Sequence, residues 1–291
     1  MAEVVVCILV HGPENYYRAG RQTALSVLDH SDFDVFMVHG SSSDIGLKPN
    51  HRLRLHSLPK ESGHYYRARP FLRKFHALQA CLDSNKNSLL MLLDSDAVLA
   101  RTINKQMFER ALGAKDLAMV EQTTILGSEM CRRNFLDHYI RHTLAWLDPG
   151  APPPSLEGFR FYNSGVVLGR RKTFQDLVAW AISTLNEEKG DHTVGDHMIA
   201  DQDYFQFWTN TQDPGCCTTL PWYWNHCVHW DTGFPRRGAY ILHLSNFCSP
   251  PTFFQLFQMS VLRRNKEDQK SIFPLLFRLL NKIALGLRWR I

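Results

Sequence analysis

The sequence predicts an α/β protein: a mixed, mostly parallel sheet flanked by helices, forming a single domain with a helical tail at its carboxyl end. Three observations carry that expectation. Short β-branched or aliphatic runs alternate with helix-period segments through most of the chain, the pattern of layered α/β domains. With 291 residues, 44% of them hydrophobic and 21% charged, the chain can bury about three quarters of its unfolded surface; disorder, collagen-like repeats and a disulfide-stapled peptide are excluded. Beyond Pro250-Pro251 the strand character is lost and the residues become aromatic, aliphatic and basic.

Val4 to Val10 is an apolar run that reads as a buried strand, closed by a His11-Gly12-Pro13 turn. Tyr16 to Leu28 follows as a helix with Tyr17, Ala24, Leu25 and Leu28 on one side. Asp34 to His39 is a second strand, and Arg52 to Leu58 a shorter alternating one nearer an edge. Arg69 to Leu82 reads as a helix whose Leu72, Phe75, Leu78 and Leu82 share a face. Ser88 to Leu93 is an apolar strand running straight into Asp94-Ser95-Asp96. Downstream, Leu117 to Val120 and Val166 to Leu168 are strand segments, Phe174 to Leu185 is a helix, and Tyr240 to Leu244 is the last strand. The Pro-rich stretch Asp148 to Pro154 is a loop within one domain, because composition does not change across it. That domain is assigned to residues 1–255 and the tail to residues 256–291.

Lys and Arg total 33 against 28 Asp and Glu, a net charge of +5, too mild a bias for a nucleic-acid surface. Seven cysteines without a C-x-x-C pair, and the lack of an N-x-[ST] acceptor, point to a reducing, cytoplasmic setting. The Val4 to Val10 run is too short to span a membrane, and Glu3 precedes it where a signal peptide would carry basic residues.

Two aspartates one residue apart at the carboxyl end of a buried strand point into the crevice where open α/β sheets bind ligands. Such a pair repels itself unless a divalent cation bridges it to a ligand's phosphates. Asp94-Ser95-Asp96 therefore reads as a metal–diphosphate site. Two other readings stand beside it: a strand-ending turn in which an aspartate caps the next helix, and, for Asp94-Ser-Asp96-Ala-Val98, the D-x-D-x-[TV] of phosphatases of the haloacid dehalogenase type.

Three later segments bear on that choice. Phe161-Tyr-Asn163-Ser-Gly165-Val-Val-Leu168 resembles an F-N-[AS]-G-V strand, Ala200-Asp201-Gln202-Asp203-Tyr204-Phe205 a D-Q-D segment, and Tyr240-Ile-Leu-His243-Leu a last-strand histidine. Leu220-Pro221-Trp-Tyr-Trp-Asn225 resembles L-P-x-x-[WF]-N. In this order the motifs resemble the GT-A glycosyltransferases, in particular the retaining family that includes glycogenin and the lipopolysaccharide galactosyltransferases. The resemblance covers residues 4–251.

It implies that Asp94, Asp96 and His243 hold Mn2+ or Mg2+, with manganese favoured by the imidazole. It implies that Ser95, Asn163, Gly165 and Asn225 line the donor side, that Asn15 and Tyr16 hold the nucleotide base, and that Arg69 or Arg73 reaches the diphosphate. Gln202 or Asp203 would lie beneath the sugar ring, while Asp201 binds sugar hydroxyls; a helix capped by Asp201, with Tyr204, Phe205 and Trp208 packed inward, fits the same residues. The implied activity moves a hexose from a UDP-linked sugar to a carbohydrate, glycolipid or protein hydroxyl, with retention. A nucleotide-sugar binding module without turnover is the alternative from another class, since Pro13-Glu14 replaces the acidic pair of the base-binding turn.

Residues 271–291 carry Phe273, Leu276, Leu279, Leu280, Ile283 and Trp289 with Arg278, Lys282, Arg288 and Arg290, and no acidic residue. A segment of that composition suits an anionic membrane surface, and equally a final helix packed on the domain.

Overall fold

A computed structural model of the chain describes residues 3–12, 14–40, 45–58, 70–122, 129–186, 192–227 and 238–244. The expected tail, the membrane-surface segment 271–291 and Arg69 lie outside the described residues.

The first half is built as expected. Strand β1 (Val4–Val10) leads into helix α1 (Glu14–His30), followed by β2 (Asp34–His39) and the short β3 (Leu53–Ser57). A 3-10 turn at Pro70–Leu72 opens α2 (Arg73–Ser84), and β4 (Leu89–Leu93) ends at Asp94. Then come β5 (Ala97–Leu99), α3 (Lys105–Leu112), β6 (Leu117–Glu121) and α4 (Glu129–His138), which continues through a π turn at Tyr139–Leu144 into Ala145–Leu147. The last stretch comprises β7 (Tyr162–Arg170), α5 (Arg171–Asn186), the small pair β8 (Thr193–Val194) and β9 (His197–Met198), α6 (Asp201–Phe207), β10 (Cys217–Leu220), β11 (His226–Cys227) and β12 (Ile241–His243).

The main sheet has seven strands in the order β10-β6-β7-β4-β1-β2-β3. The pairs β1/β2, β1/β4, β2/β3 and β6/β10 are parallel, whereas β7 runs antiparallel to both its neighbours, β4 and β6. Successive strands step outward from β1 to β3, then the chain returns to place β4 on the other side of β1. That reversal makes the carboxyl ends of β1 and β4 a topological switch point, the position at which open α/β sheets bind ligands.

Both faces of the sheet are buried, and strand alternation sorts the residues between them. Val5, Cys7, Leu90, Leu92 and Val167 face α2 and α5 through Phe75, Leu78, Leu82, Phe174, Leu177 and Val178. Val4, Val6, Ile8, Met91, Val166 and Leu168 face α1 and α3 through Ala24, Val27, Phe108 and Leu112. Burying both faces explains why these strands read as continuous apolar runs and not as alternating ones. The buried side of α1 differs from expectation: Leu25 and Leu28 are only half-buried, and Thr23 and Ser26 take the interior positions.

Candidate metal and ligand site

Asp94 leaves β4 directly above the switch point, with its backbone N–H donating to the Gly165 carbonyl on β7 at 2.9 Å. The Asp94 carbonyl accepts from Ala97 N–H at 3.0 Å, closing a turn that presents Asp96 beside Asp94. Two hydroxyls of α1 fix this turn, which accounts for their burial. Thr23 Oγ1 donates to the Ser95 carbonyl at 2.7 Å, and Ser26 Oγ accepts from Leu99 N–H at 3.0 Å. Ser95 is thus held by its backbone. On the far side Leu244 N–H donates to the Asp96 carbonyl at 3.1 Å, bringing the end of β12 alongside.

His243, the last residue of β12, completes a triad: Asp94, Asp96 and His243 each offer a ligand atom within 4.8 Å of the others. Its Nε2 stands 3.4 Å from Asp96 Oδ1 and 3.6 Å from Asp94 Oδ2. An ion bound at about 2.1 Å holds adjacent ligand atoms about 3 Å apart, so a slight contraction would seat one. The carboxylate side chains are 28% and 22% exposed and the imidazole 3%, so the face away from His243 stays open to a ligand.

A chain of amides sets the imidazole tautomer. Gly165 N–H donates to Asn163 Oδ1 at 2.9 Å, so that atom is an oxygen and can only accept. Asn225 Nδ2 donates to the same oxygen at 2.8 Å, which turns Asn225 Oδ1 toward His243 Nδ1 at 2.9 Å. Nδ1 therefore carries the proton of that bond and Nε2 faces the carboxylates, the orientation a metal ligand needs. Gly165 is required for a steric reason: a Cβ there would lie 2.0 Å from His243 Cε1.

Lys74 of α2 is buried at the floor of the site, with Nζ 2.8 Å from Asp94 Oδ1 and paired with Asp201 Oδ2. Asp201 also accepts from Ser164 Oγ at 3.0 Å. Burial would lower the Lys74 pKa, but the charges of Asp201 and Asp94 outweigh it and raise it. Burial raises Asp94 against the opposing pull of Lys74 and His243. For Asp96 the same burial is outweighed by the hydrogen bond and charge of His243, which hold it below the usual carboxylate range. His243, despite burial, is raised well above an ordinary imidazole by Cys227 and Asp96.

The remaining expected residues divide. Tyr16 lies over Gly12, just past the carboxyl end of β1, and its phenol is raised by burial and then by the charges of Asp96 and Asp94. Asn15 is in the first turn of α1. Arg73 is buried against Gly40 beside His11, at the carboxyl end of β1; burial first, and then its charge, lower the pKa of His11 and His76. Successive residues of a helix diverge by about 100°, and the D-Q-D segment opens α6. Asp201 accordingly faces Lys74, Gln202 Nε2 reaches Gln122 Oε1 at 3.4 Å, and Asp203 turns to the other side. There Asp203, and not Asp201, caps the helix by accepting from Ala200 N–H at 2.9 Å. Tyr204, Phe205 and Trp208 are buried as expected.

Lys74 was legible only as one of a group of basic residues preceding the central strand. Its sharper signal is position: it falls four residues before Leu78 and seven before Cys81, a cation on the buried stripe of an amphipathic helix. Ser164 and Thr23 carried no such signal, because nothing in sequence says which hydroxyl a distant backbone will meet.

No protein-family model matches the chain, and no curated protein matches it in sequence. Solved structures do match its fold, which is that of the GT-A glycosyltransferases. The WbbM bifunctional glycosyltransferase in its apo form is 14% identical with a TM-score of 0.57, over 91% of this chain and 50% of that one. The chain thus spans half the length of WbbM. The galactosyltransferase LgtC, in complex with donor and acceptor sugar analogues, is 12% identical with a TM-score of 0.54, over 89% of this chain and 95% of LgtC. An active-site glutamine-to-glutamate mutant of LgtC matches at 13% identity and a TM-score of 0.52.

Proposed function

We propose that this chain is a metal-dependent glycosyltransferase that moves a hexose from a UDP-linked sugar to a hydroxyl acceptor with retention of anomeric configuration. The observation that carries the reading is the meeting of Asp94, Asp96 and His243, drawn from two distant parts of the sequence, at the switch point of a GT-A fold. The donor set suits Mn2+ better than Mg2+, because an imidazole joins two carboxylates. When bound, the ion neutralises charge on the departing nucleoside diphosphate.

The chain's own residues would do the rest. Tyr16, against Gly12 at the carboxyl end of β1, offers a ring face to the nucleotide base, with Asn15 in the same turn of α1. Arg73 offers a buried guanidinium at the crevice end of β1 for the diphosphate. Asp201, oriented by Lys74 and Ser164, accepts hydrogen bonds from sugar hydroxyls. Gln202, next on the same helical turn, turns its amide oxygen toward positive charge developing at the anomeric carbon. An amide is a weak nucleophile, which favours departure and attack on one face of the sugar, with a leaving-group phosphate oxygen taking the acceptor's proton. LgtC, solved with donor and acceptor sugar analogues and with an active-site glutamine mutated, is consistent with a glutamine in that role. Asp203 acts through the helix: as its cap, it sets the direction of the turn carrying Asp201 and Gln202. The acceptor is a carbohydrate, glycolipid or protein hydroxyl, and residues 271–291 would bring the enzyme to an anionic membrane surface when that acceptor is a glycolipid. No helix of the described residues is long and apolar enough to cross a membrane.

A thermal-shift series with nucleotide sugars tests the reading without knowledge of the acceptor. UDP-sugars are expected to raise the melting temperature with Mn2+ and much less without it. A stabilisation by UDP that ignores Mn2+, or none by any nucleotide sugar, would count against it.

A further inference from the structure

Three imidazoles gather on the side of α6 to which Asp203 turns. His138 ends α4, His142 lies in the π turn that follows, and His197 is on β9. Their ring centroids are 4.6 Å (His138–His142), 4.5 Å (His138–His197) and 4.9 Å (His142–His197) apart. Three imidazoles around one tetrahedral ion, with metal–nitrogen distances of about 2.0 Å, have centroids about 5 Å apart. His138 and His142 are four residues apart, the spacing that puts two ligands on one helical face. The intervening π turn is a rare conformation that recurs at functional sites.

The hydrogen bonds around the cluster are those of ligating histidines. His142 Nδ1 is 3.2 Å from the Val194 carbonyl, which can only accept, so Nδ1 holds the proton and Nε2 keeps a lone pair. His197 Nε2 donates to the Asp203 carboxylate at 3.2 and 3.3 Å, leaving Nδ1 with its lone pair. Asp203 is itself fixed by Ala200 N–H and the Thr143 hydroxyl. A carbonyl behind His142 and a carboxylate behind His197 are the outer arrangement that orients metal ligands.

We propose that His138, His142 and His197 form a second metal site, separate from the Asp94 triad, that takes a late first-row divalent cation, Zn2+ foremost. A purely imidazole set ranks Zn2+ far above Mn2+, so the two sites select different ions. Among the described residues only the Asp94 triad already has three ligand atoms within 4.8 Å of one another. Binding would draw the nitrogens together chiefly by rotation of the half-buried His138 ring about its soft sp3–sp2 torsion, with His142 and His197 keeping the hydrogen bonds described above. The ion would tie β9 to the π turn and, through Asp203, brace the first turn of α6. This inference does not rest on the transferase reading.

Equilibrium dialysis of the full chain against Zn2+ alone tests it, in an Asp94→Asn/Asp96→Asn background that removes the first site. That background is expected to bind a single zinc ion per chain, and adding His138→Gln with His142→Gln to abolish binding while the metal-free melting curve stays unchanged. A parent that binds no zinc, or histidine variants that keep it, would overturn the proposal. Co2+ added to the same background, with every histidine intact, gives a second readout independent of how those variants fold. The intense visible bands of a tetrahedral nitrogen site support the proposal; a thiolate charge-transfer band, or only the weak octahedral spectrum, overturns it.

Discussion

At the scale of single residues, the site depends on groups that act through His243. Asn163, Gly165 and Asn225 were legible as site residues from motif resemblance, but not as one hydrogen-bonded chain ending on the His243 imidazole; sequence spacing carries no information on which amide oxygen faces which ring. Removing the last link, Asn225→Ala, should weaken Mn2+ binding about 10- to 100-fold while leaving every ligand in place. Gly165→Ala should do at least as much, since the new methyl would occupy the position of His243 Cε1. Titration of free Mn2+ by electron paramagnetic resonance reads both, and an unchanged affinity in either would show that the imidazole is not held in this way. The raised pKa of His243 also fixes the sign of a pH effect. In the metal-free chain the proton on His243 stabilises the fold below the ordinary imidazole pKa, and that contribution is lost as pH rises through the raised one. Metal binding needs the same nitrogen deprotonated, so Mn2+ affinity should fall with acidification by up to tenfold per pH unit below the raised pKa. An affinity that is flat across that window would exclude Nε2 as a ligand.

At the scale of elements, what sequence reveals depends on whether an element's neighbours leave a periodic mark. β1, β2 and β4 were visible because burial on both faces demands unbroken apolar runs. Apolar patterning shows β7 only as Val166 to Leu168, and the motif resemblance extends it back to Phe161, whereas the strand spans Tyr162–Arg170; the polar Asn163 and Ser164 interrupt the apolar run of its first half. α3 and α4 have polar sequences and were missed; α3 is set by an Asn104 cap, whose Oδ1 accepts from Met107 N–H at 3.0 Å. Asn104→Ala should cost about 1 kcal/mol in a denaturant melt, and an effect near zero would show the cap to be dispensable. Lys74 joins three elements at once, tying α2 to the end of β4 and to the start of α6. Lys74→Met leaves two carboxylates facing each other without their cation, and should destabilise the metal-free chain by about 3 kcal/mol or more. Mn2+ should restore part of that loss by neutralising Asp94; equal destabilisation with and without the ion would place the metal elsewhere.

At the scale of the whole molecule, the layered α/β class followed from the alternation of apolar runs and helical periods, whereas the strand order, in which the chain returns past β1 to place β4, was not legible. The antiparallel insertion of β7 between β4 and β6 was not readable, because strand direction depends on connections through polar segments without periodic signal. The aspartate pair nonetheless stands at the point where the strand order reverses, beside β1 and β4, the position at which open α/β sheets bind ligands. The central claim is that the Asp94 triad turns over a nucleotide sugar with the help of a divalent ion. The most direct measurement is release of nucleoside diphosphate from a panel of nucleotide sugars with Mn2+, comparing the unmodified chain with Asp96→Asn. The account predicts slow release from a UDP-sugar, accelerated by a hydroxyl acceptor and reduced at least about a hundredfold by the substitution or by chelation of the ion. Release that survives Asp96→Asn unchanged, or hydrolysis of phosphomonoesters with no turnover of any nucleotide sugar, would contradict it.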